Sequence, residues 1–382
     1  MPKPRSILLC HFAGQPTLRG SERIAQVLAL QLTQRGYQVV LWTNNPALLE
    51  SVKDSACIGV SGAFDAWKAT PATTRQGIEI ARRYEVDLIH ANSGVAVALC
   101  SPIAKQLGCK LVGHLHAHYN VLDRFRSRFH RPNALITVSQ SAARGLKTWV
   151  ARKEGLAVIA NPVLPGPNIP RQPSHRFNLL TVAGLSREKG VDRVIEAMAH
   201  LRQNETKNIR LSILGDGPER AALEAQTQAL GLQERIHFLG HVKDPYPYYA
   251  QADLLVMGSR KESFGLVIAE AGQYRVPTVA PNVGGIPEVI EHGQHGLLVE
   301  GTPHSIAEAC SALIDAPNTR RAMGQAAYQR YLDEFELRRF GDAIESVYSE
   351  LFDLNQAAPI GFDWRATLSE LTKNQLQKRG WA

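Results

Sequence analysis

Cysteine is scarce in this chain, and long apolar runs are absent. The five cysteines among 382 residues show no Cys-x-x-Cys spacing, which excludes the common paired-thiol metal and redox motifs and indicates reduced, mostly buried thiols in a cytoplasmic protein. No apolar run reaches the roughly 18 residues that cross a bilayer, so we expect no membrane-spanning helix. The short apolar run after Lys3 and Arg5 predicts a first strand and not a secretory signal.

Charge is unevenly distributed along the chain. Residues 1–165 hold 20 Lys and Arg against 9 Asp and Glu, and the remainder holds 23 against 26, so the two parts carry net charges of +11 and −3 within the total of +8. A basic first part beside a nearly neutral second part indicates that the first part meets something anionic.

Short apolar runs rich in β-branched residues alternate with helix-like segments. This alternation is typical of parallel sheets with helices on both faces, so the predicted fold class is α/β. The predicted strands are Ile7–Cys10, Gln38–Trp42, Asp87–His90, Lys110–His114, Ala134–Val138 and Ala157–Ala160, then Asn178–Ala183, Arg210–Leu214, Arg235–Leu239, Asp253–Met257, Pro277–Ala280 and Gly296–Val299.

Five prolines interrupt residues 161–173. Proline is unfavourable inside strands and helices, so this segment predicts a linker. We therefore expect two Rossmann-like domains, 1–165 and 174–334, with ligands at the carboxyl ends of their strands. Residues 335–354 predict a last helix, and 355–382 form a tail without a motif that we can name.

Two carboxylates eight positions apart, Glu262 and Glu270, flank an apolar stretch. A helix that begins at Phe264 and Gly265 would place Glu262 just before its N-terminus and Glu270 two turns inside it. The amides of Phe264, Gly265 and Leu266 would then form an anion site beside two hydroxyl-binding carboxylates, as a nucleotide sugar requires. The alternative for the spacing alone is a helix with one capping and one surface glutamate.

This element, with the strand 277–280 and the loop 284–288 behind it, resembles the Glu-x7-Glu signature of the GT-B-fold glycosyltransferases, most closely the retaining group called family 4. The resemblance extends from about Ile7 to Leu351. It implies two facing Rossmann-like domains with an interdomain cleft, the first for the acceptor and the second for a nucleotide-sugar donor, and a final helix that crosses back to the first domain. It also implies that Glu270 binds the ribose hydroxyls and Glu262 a hydroxyl of the donor sugar.

Two cations, Arg187 and Lys189, precede the predicted helix Val191–Leu201, where the helix dipole does not favour them. An anionic ligand would explain both, and a solvated basic helix start is the alternative. The resembled family places an arginine and a lysine from this element on the donor diphosphate. Lys189 is retained here, Gly184 stands where the arginine is expected, and Arg187 is the candidate substitute.

Glycines mark three loops of the predicted sites. By resemblance Gly215 lies near the nucleotide, and Gly284 and Gly285 would let backbone approach it without a Cβ. For all three the alternative is a simple turn. In the first domain Gly20 and Ser21 resemble a family loop near donor phosphate or acceptor, although Ser21 as a helix N-cap is the favoured interpretation from the residues alone.

His114, His116 and His118 follow one another at alternate positions where a strand ends. Alternation would put all three on one face, so a metal site has to be considered. No carboxylate or cysteine follows at ligand spacing, and the resembled family has one functional histidine after this strand. We therefore expect no metal, no other cofactor and a catalytic role for His116, with His114 as the second choice. The chain also lacks the Asp-x-Asp motif of metal-dependent transferases.

Arginine is concentrated in residues 124–131, at Arg124, Arg126, Arg128 and Arg131. Arginine and phenylalanine interleaved on a helix can meet anionic headgroups or nucleic-acid phosphates, and a solvated basic helix is the alternative. Related enzymes face lipid-linked acceptors with this part of the chain, which favours a membrane surface over nucleic acid.

Taken with the resemblance, these patterns predict a metal-independent hexosyltransferase with Lys189, Glu262 and His116 as its catalytic residues, and the resemblance implies that it retains the anomeric configuration. Its expected partners are a nucleotide-sugar donor, a glycan or lipid-linked acceptor of bacterial surface polysaccharide or lipopolysaccharide synthesis, and an anionic membrane surface, with no nucleic acid. The expected location is the cytoplasm, at the inner face of the cell membrane. The alternatives are a non-catalytic sugar- or nucleotide-binding GT-B protein and a GT-B epimerase or phosphorylase.

Overall fold

The chain forms two α/β units in the computed structural model. The structure describes residues 5–12, 20–62, 70–120, 123–124, 127–201, 208–353, 359–361 and 363. The first unit comprises Met1–Pro162 and Leu337–Ala382, and the second comprises Val163–Glu336. The tail prediction falls almost entirely outside the described residues.

The first unit is a parallel sheet of seven strands with the order β3-β2-β1-β4-β5-β6-β7. Its strands are β1 (Ser6–His11), β2 (Gln38–Thr43), β3 (Ile58–Ser61), β4 (Leu88–Ala91), β5 (Lys110–Leu115), β6 (Ala134–Thr137) and β7 (Leu156–Val158). Its helices are α1 (Gly20–Gln34), α2 (Pro46–Glu50), α3 (Pro71–Arg83), α4 (Gly94–Leu107) and α5 (Gln140–Lys147), with α13 (Leu337–Asp353) from the end of the chain.

The central strands β1 and β4 are buried along their whole length, because helices cover both faces of a parallel sheet. Helix α13 packs against α1, and residues just after α1 make polar contacts with it. Arg35 pairs with Glu345 at 2.5 Å, and the Tyr37 hydroxyl donates to the other oxygen of Glu345 at 2.7 Å. The last helix therefore belongs to the same unit as the first strand.

The second unit repeats this topology with six parallel strands in the order β10-β9-β8-β11-β12-β13. Its strands are β8 (Phe177–Val182), β9 (Ile209–Leu214), β10 (Ile236–Gly240), β11 (Leu254–Val256), β12 (Thr278–Pro281) and β13 (Gly296–Val299). Its helices are α6 (Val191–Leu201), α7 (Arg220–Ala229), α8 (Tyr246–Gln251), α9 (Leu266–Gln273), α10 (Ile286–Val289), α11 (Pro303–Asp315) and α12 (Pro317–Glu334).

The proline-rich segment is bound to the second unit and differs in this from a free linker. The Gly166 amide donates to the Gln273 side chain at 2.8 Å, and the Tyr274 hydroxyl donates to the Pro167 carbonyl at 3.0 Å. Proline prevents regular strand or helix bonding in this segment, so side chains of the second unit pair with its backbone: Gln273 accepts from an amide and Tyr274 donates to a carbonyl.

The predicted fold class is confirmed, since two parallel sheets with flanking helices are present. The short edge strand β3 was not predicted, because its side chains are only half buried and it contains Gly59. Strand order reverses between β1 and β4 in the first sheet and between β8 and β11 in the second, so that later strands are added on the opposite side, and such switch points are where ligands bind in open α/β sheets. Within the described ranges, no helix combines the length and the apolar character needed to cross a membrane.

Candidate functional site

Two loops leave the carboxyl ends of β8 and β11, one on each side of the switch point of the second sheet. The loop after β8 contains a single 3₁₀ turn, Arg187–Lys189, and the loop after β11 contains Glu262. The Lys189 ammonium donates to the Glu262 carboxylate at 2.7 Å. The side chains are 35% and 12% exposed, so the ion pair is partly shielded yet open to solvent from the lysine side.

Glycines join these loops backbone to backbone. A Cβ on Gly190 would lie 1.9 Å from the Gly258 carbonyl oxygen, and a Cβ on Gly284 would lie 1.8 Å from the Glu262 carbonyl oxygen. The Gly285 amide donates to that same oxygen at 3.0 Å. The need for glycine at positions 284 and 285 therefore comes from loop packing, whereas the sequence interpretation assigned it to the approach of a nucleotide.

Gly215 follows the same rule at the end of β9. It has φ +134°, and a Cβ would lie 1.9 Å from the Ala183 carbonyl oxygen. The close approach is between the ends of neighbouring strands, and contact of Gly215 with a nucleotide stays a prediction.

Helix α9 begins at Leu266, two residues later than predicted. Gly265 precedes it with φ 99° and ψ 49°, a left-handed conformation that glycine adopts without strain. The Phe264 side chain is buried against Phe335, with ring centroids 5.8 Å apart, so Phe264 can offer a ligand only its backbone. The three amides of residues 264–266 are thus held at the helix start by a buried ring and a glycine turn.

Glu270 lies on the second turn of α9 and is buried. The Tyr249 hydroxyl, from α8, donates to its Oε2 at 2.6 Å. Buried carboxylates require such donors, because removing the charge from water is costly. The alternative of a surface glutamate is therefore wrong for Glu270.

Gly184 and Arg187 are both exposed in the loop after β8. A Cβ on Gly184 would have no atom within 4 Å, so packing does not explain why glycine replaces the expected arginine at this position. The Arg187 side chain is on the same loop as Lys189, while its backbone carbonyl accepts a bond from Arg260 at 3.0 Å.

The switch point of the first sheet holds a buried polar group. His11, at the end of β1, donates from Nδ1 to the Asn92 carbonyl at 3.0 Å, and its Nε2 lies 3.6 Å from Glu22. Ser21 is inside α1, and its hydroxyl donates to Glu22 at 3.1 Å, so the N-cap interpretation of Ser21 is wrong. Gly20 begins the helix and is exposed.

The carboxylate of Glu22 is ionised in this setting. Burial acts to raise its pKa, but the hydrogen bond and charge of His11, together with the Ser21 hydroxyl, outweigh burial and hold the pKa below its ordinary value. A carboxylate that stays charged in a buried position needs these partners.

His116 is fixed by Asn92 just beyond β5. The Asn92 amide nitrogen donates to the Ser21 carbonyl at 3.1 Å, so its oxygen faces His116 Nε2, at 3.0 Å, as an acceptor. Nε2 of His116 must then carry the proton. Burial, reinforced by His114 and His11, lowers the pKa of His116 well below its usual range, so the ring is neutral at neutral pH.

His114 and His116 lie side by side, with ring centroids 4.4 Å apart, whereas His118 is exposed. The prediction that all three histidines share one face therefore holds for His114 and His116 and fails for His118. His114 Nδ1 is 3.3 Å from His90 Nε2, and His90 Nδ1 is 2.7 Å from the Tyr348 hydroxyl of α13. Burial lowers the pKa of His90 to about 3. In the part of the chain that the structure describes, no group of three His, Cys, Asp or Glu side chains could hold a metal ion.

The arginine-rich segment is only partly a surface. Arg124 is buried, and its Nε donates to the Tyr119 carbonyl at 3.0 Å, so its assignment to an exposed surface is wrong. Phe129 of the same segment has its ring in the core. Arg128 and Arg131 are exposed, and Arg126 lies outside the described residues.

Comparison with known families and structures identifies the class of protein. Residues 18–165 match Glycosyltransferase Family 4, and residues 167–330 match Glycosyl transferases group 1. The chain belongs to this family of GT-B-fold glycosyltransferases and is a glycosyltransferase.

Individual relatives give the same assignment. N-acetyl-alpha-D-glucosaminyl L-malate synthase of Bacillus anthracis is 25% identical over 366 residues, 88% of this chain and 95% of that protein. The lipopolysaccharide core biosynthesis glycosyltransferase LpsD of Rhizobium meliloti is 30% identical over 208 residues, 53% of this chain and 58% of that protein. The structure of Anabaena Alr3699/HepE in complex with UDP and glucose has a TM-score of 0.77 at 21% identity and covers 91% of this chain and 100% of that chain.

Several residues of the two sites were missed by the sequence analysis, namely His11, Glu22, His90, Asn92 and Tyr249. His11 and Asn92 end or follow strands that flank the first switch point, and that position was the signal available. Tyr249 has no such signal, because it meets Glu270 from a different helix.

Proposed function

We propose that the chain is a retaining hexosyltransferase that moves a sugar from a nucleotide-diphosphate sugar to a hydroxyl of a glycan or lipid-linked acceptor. The pathway we infer is bacterial surface polysaccharide or lipopolysaccharide synthesis. One observation carries the proposal: Lys189 and Glu262 pair at 2.7 Å across the switch point of the second sheet, beside the start of α9. A cation, a helix start without a side-chain cap and a carboxylate at one place suit a diphosphate joined to a sugar.

Each of these groups has a role in the proposed donor site. A lysine ammonium has three donors, so Lys189 can keep its bond to Glu262 and still bind diphosphate oxygens. The amides of residues 264–266 would bind the same diphosphate at the start of α9. Glu262 would accept a hydroxyl of the donor sugar, and Glu270 the ribose hydroxyls. The UDP complex of the Anabaena neighbour supports a nucleotide donor.

Catalysis in this proposal is electrostatic. Negative charge grows on the diphosphate as it leaves the sugar, and Lys189, Arg187 and the helix amides would stabilise it. His116 would act as a neutral, oriented group, because Asn92 fixes its proton on Nε2. No step requires a metal ion or another cofactor.

The acceptor side rests on the charge of the first unit and on the relatives. Arg128 and Arg131 are exposed and would meet anionic headgroups at the inner face of the membrane. The lipopolysaccharide function of the Rhizobium relative supports a lipid-linked acceptor.

A liposome assay tests the membrane part. The protein should sediment with anionic liposomes at low salt, and Arg128→Gln with Arg131→Gln should weaken this binding. The double variant Arg82→Gln with Lys105→Gln removes the same charge from exposed positions of the same unit and serves as the control. Absence of binding at low salt, or equal loss in both double variants, would contradict a membrane surface at this segment.

A thermal-shift screen tests the enzyme part. The protein is heated with UDP, GDP, ADP or CMP and with their common sugar conjugates, because a ligand of the folded state raises the melting temperature by mass action. One nucleotide and its sugar conjugates should give a clear shift. No shift at millimolar concentration would contradict the donor site, and turnover to a sugar phosphate without an acceptor would indicate a phosphorylase or an epimerase.

A further inference from the structure

Tyr249 contacts Glu270 of the proposed donor site through its hydroxyl. We propose that Tyr249 is a positioning residue, which holds the Glu270 carboxylate in the orientation that binds the ribose of the donor. The inference rests on the proposed function, since that function assigns the ribose hydroxyls to Glu270. The two oxygens are 2.6 Å apart, and the residues are 0% and 9% exposed.

The chemistry of the pair makes the bond directional. An ionised carboxylate only accepts hydrogen bonds, so the Tyr249 hydroxyl is the donor and Oε2 of Glu270 the acceptor. Bonds of this charge-assisted kind are short and about twice as strong as neutral ones. With Oε2 fixed, the plane of the carboxylate is fixed as well, and the ligand does not have to order a flexible glutamate when it binds.

The Tyr249 ring is held independently of its hydroxyl. It is fully buried, and it stacks on Tyr274 with an interplanar angle of 10° and a centroid distance of 6.2 Å. Tyr274 is held in turn by its own hydroxyl, which donates to Pro167 at 3.0 Å. Tyr249→Phe therefore keeps the ring contacts and removes the donor to Glu270.

The test measures nucleotide binding by the full chain with and without ribose hydroxyls. Titration calorimetry would compare UDP, GDP and ADP with their 2′,3′-dideoxy analogues, so that the base is chosen by the wild-type protein. We expect Tyr249→Phe to bind the ribonucleotide roughly tenfold more weakly. Affinity for the dideoxy analogue should stay unchanged, because that ligand lacks the hydroxyls that Glu270 would bind.

The preference for ribose is the readout that a purely structural role would not change. Equal weakening of both ligands would mean that Tyr249 only supports packing, and an unchanged preference would mean that Glu270 is oriented without it. Either result overturns the inference. Tyr274→Phe is the matched control, because it also removes one tyrosine hydroxyl but leaves Glu270 bonded, and its ribose preference should equal that of the wild type.

A double-mutant comparison tests the same coupling from the Glu270 side. Glu270→Gln alone should lose the ribose preference, and adding Tyr249→Phe should then change affinity less than about twofold, as expected for residues that act as one unit. A further large loss would overturn the inference. A wild-type protein that binds no nucleotide overturns the proposed function and this inference with it, whereas nucleotide binding with a ribose preference that Tyr249→Phe retains overturns the inference alone.

Discussion

The two sheets share one topology but differ in what stands at their switch points. In the first unit the switch point is built from buried, hydrogen-bonded side chains, His11, Asn92 and Glu22, and a neutral His116 joins them. In the second unit it is built from loops joined through glycines, with the charged pair of Lys189 and Glu262 open to solvent. Topology therefore fixes where a site forms, and the residues of the loops decide its chemistry.

Lys189→Ala would remove the cation from the charged pair of the second unit and should have the largest effect. Loss of the cation should lower turnover of the donor by about a hundredfold to a thousandfold, since one stabilising group at a developing negative charge contributes about 3–4 kcal/mol. Donor turnover is measured beside the melting temperature, which should change by less than about 4 °C because the lysine is partly exposed.

The control for this experiment is Lys261→Ala in the loop after β11. Lys261 is exposed and its ammonium lies 3.7 Å from Glu188, so its removal takes the same charge from a neighbouring position and leaves the ion pair of Lys189 with Glu262 in place. Full activity of Lys189→Ala would show that the donor diphosphate does not bind beside Lys189.

Gly284→Ala would test whether glycine serves the packing of loops. A Cβ there meets a backbone oxygen at 1.8 Å, and φ is +57°, so we expect a loss of about 3 kcal/mol in the free energy of unfolding. Gly184→Ala places a Cβ in open space in the same unit and should be nearly neutral. Chemical denaturation of both variants measures the difference, and equal stabilities would refute the packing argument.

The histidines of the first unit should make it sensitive to acid. The folded pKa of His90 is about 3 because of burial, whereas the unfolded value is about 6.5, so between these values the unfolded chain binds more protons. This histidine alone should lower the free energy of unfolding by about 2 kcal/mol from pH 7 to pH 5.

His90→Gln removes that proton uptake, so its stability should depend less steeply on pH than that of the wild type. His118→Gln is the control, because His118 is exposed. Urea denaturation at pH 7 and pH 5 gives the comparison, and parallel pH profiles for wild type and His90→Gln would show that His90 does not titrate as inferred.

Arg187→Ala tests the second cation of the donor loop and should have the smallest effect of these variants. If Arg187 substitutes for the arginine missing at Gly184, its loss should weaken nucleotide-diphosphate binding by roughly tenfold, the effect of one charge-assisted contact. Adding Gly184→Arg to this variant should restore part of the affinity, because position 184 has room for a side chain. Unchanged affinity in Arg187→Ala would leave Lys189 as the cation that matters.

Local pattern was sufficient to predict most strands and the element around Glu262 and Glu270. Buried parallel strands are short apolar runs, and Glu262 and Glu270 are only eight positions apart. Both patterns can therefore be recognised within one short segment of the sequence. Burial of Arg124 was missed because composition does not show which arginine turns inward to a backbone carbonyl.

Contacts between distant segments could not be predicted in the same way. Asn92 meets His11 and His116 only because β1, β4 and β5 are neighbours in the sheet, and Tyr249 meets Glu270 only because α8 packs beside α9. The sequence of one segment carries no information on the partner that strand order brings to it.

The position of α13 after the second unit in the sequence has a consequence for synthesis on the ribosome. The second unit is one continuous segment, Val163–Glu336, and can complete its contacts as soon as that segment has emerged. The first unit is translated first, yet the hydroxyl that contacts His90 belongs to Tyr348 and is added near the end. The first unit is therefore begun before the second and completed after it, and a chain that stops before Leu337 would leave the first unit without α13, which packs against α1.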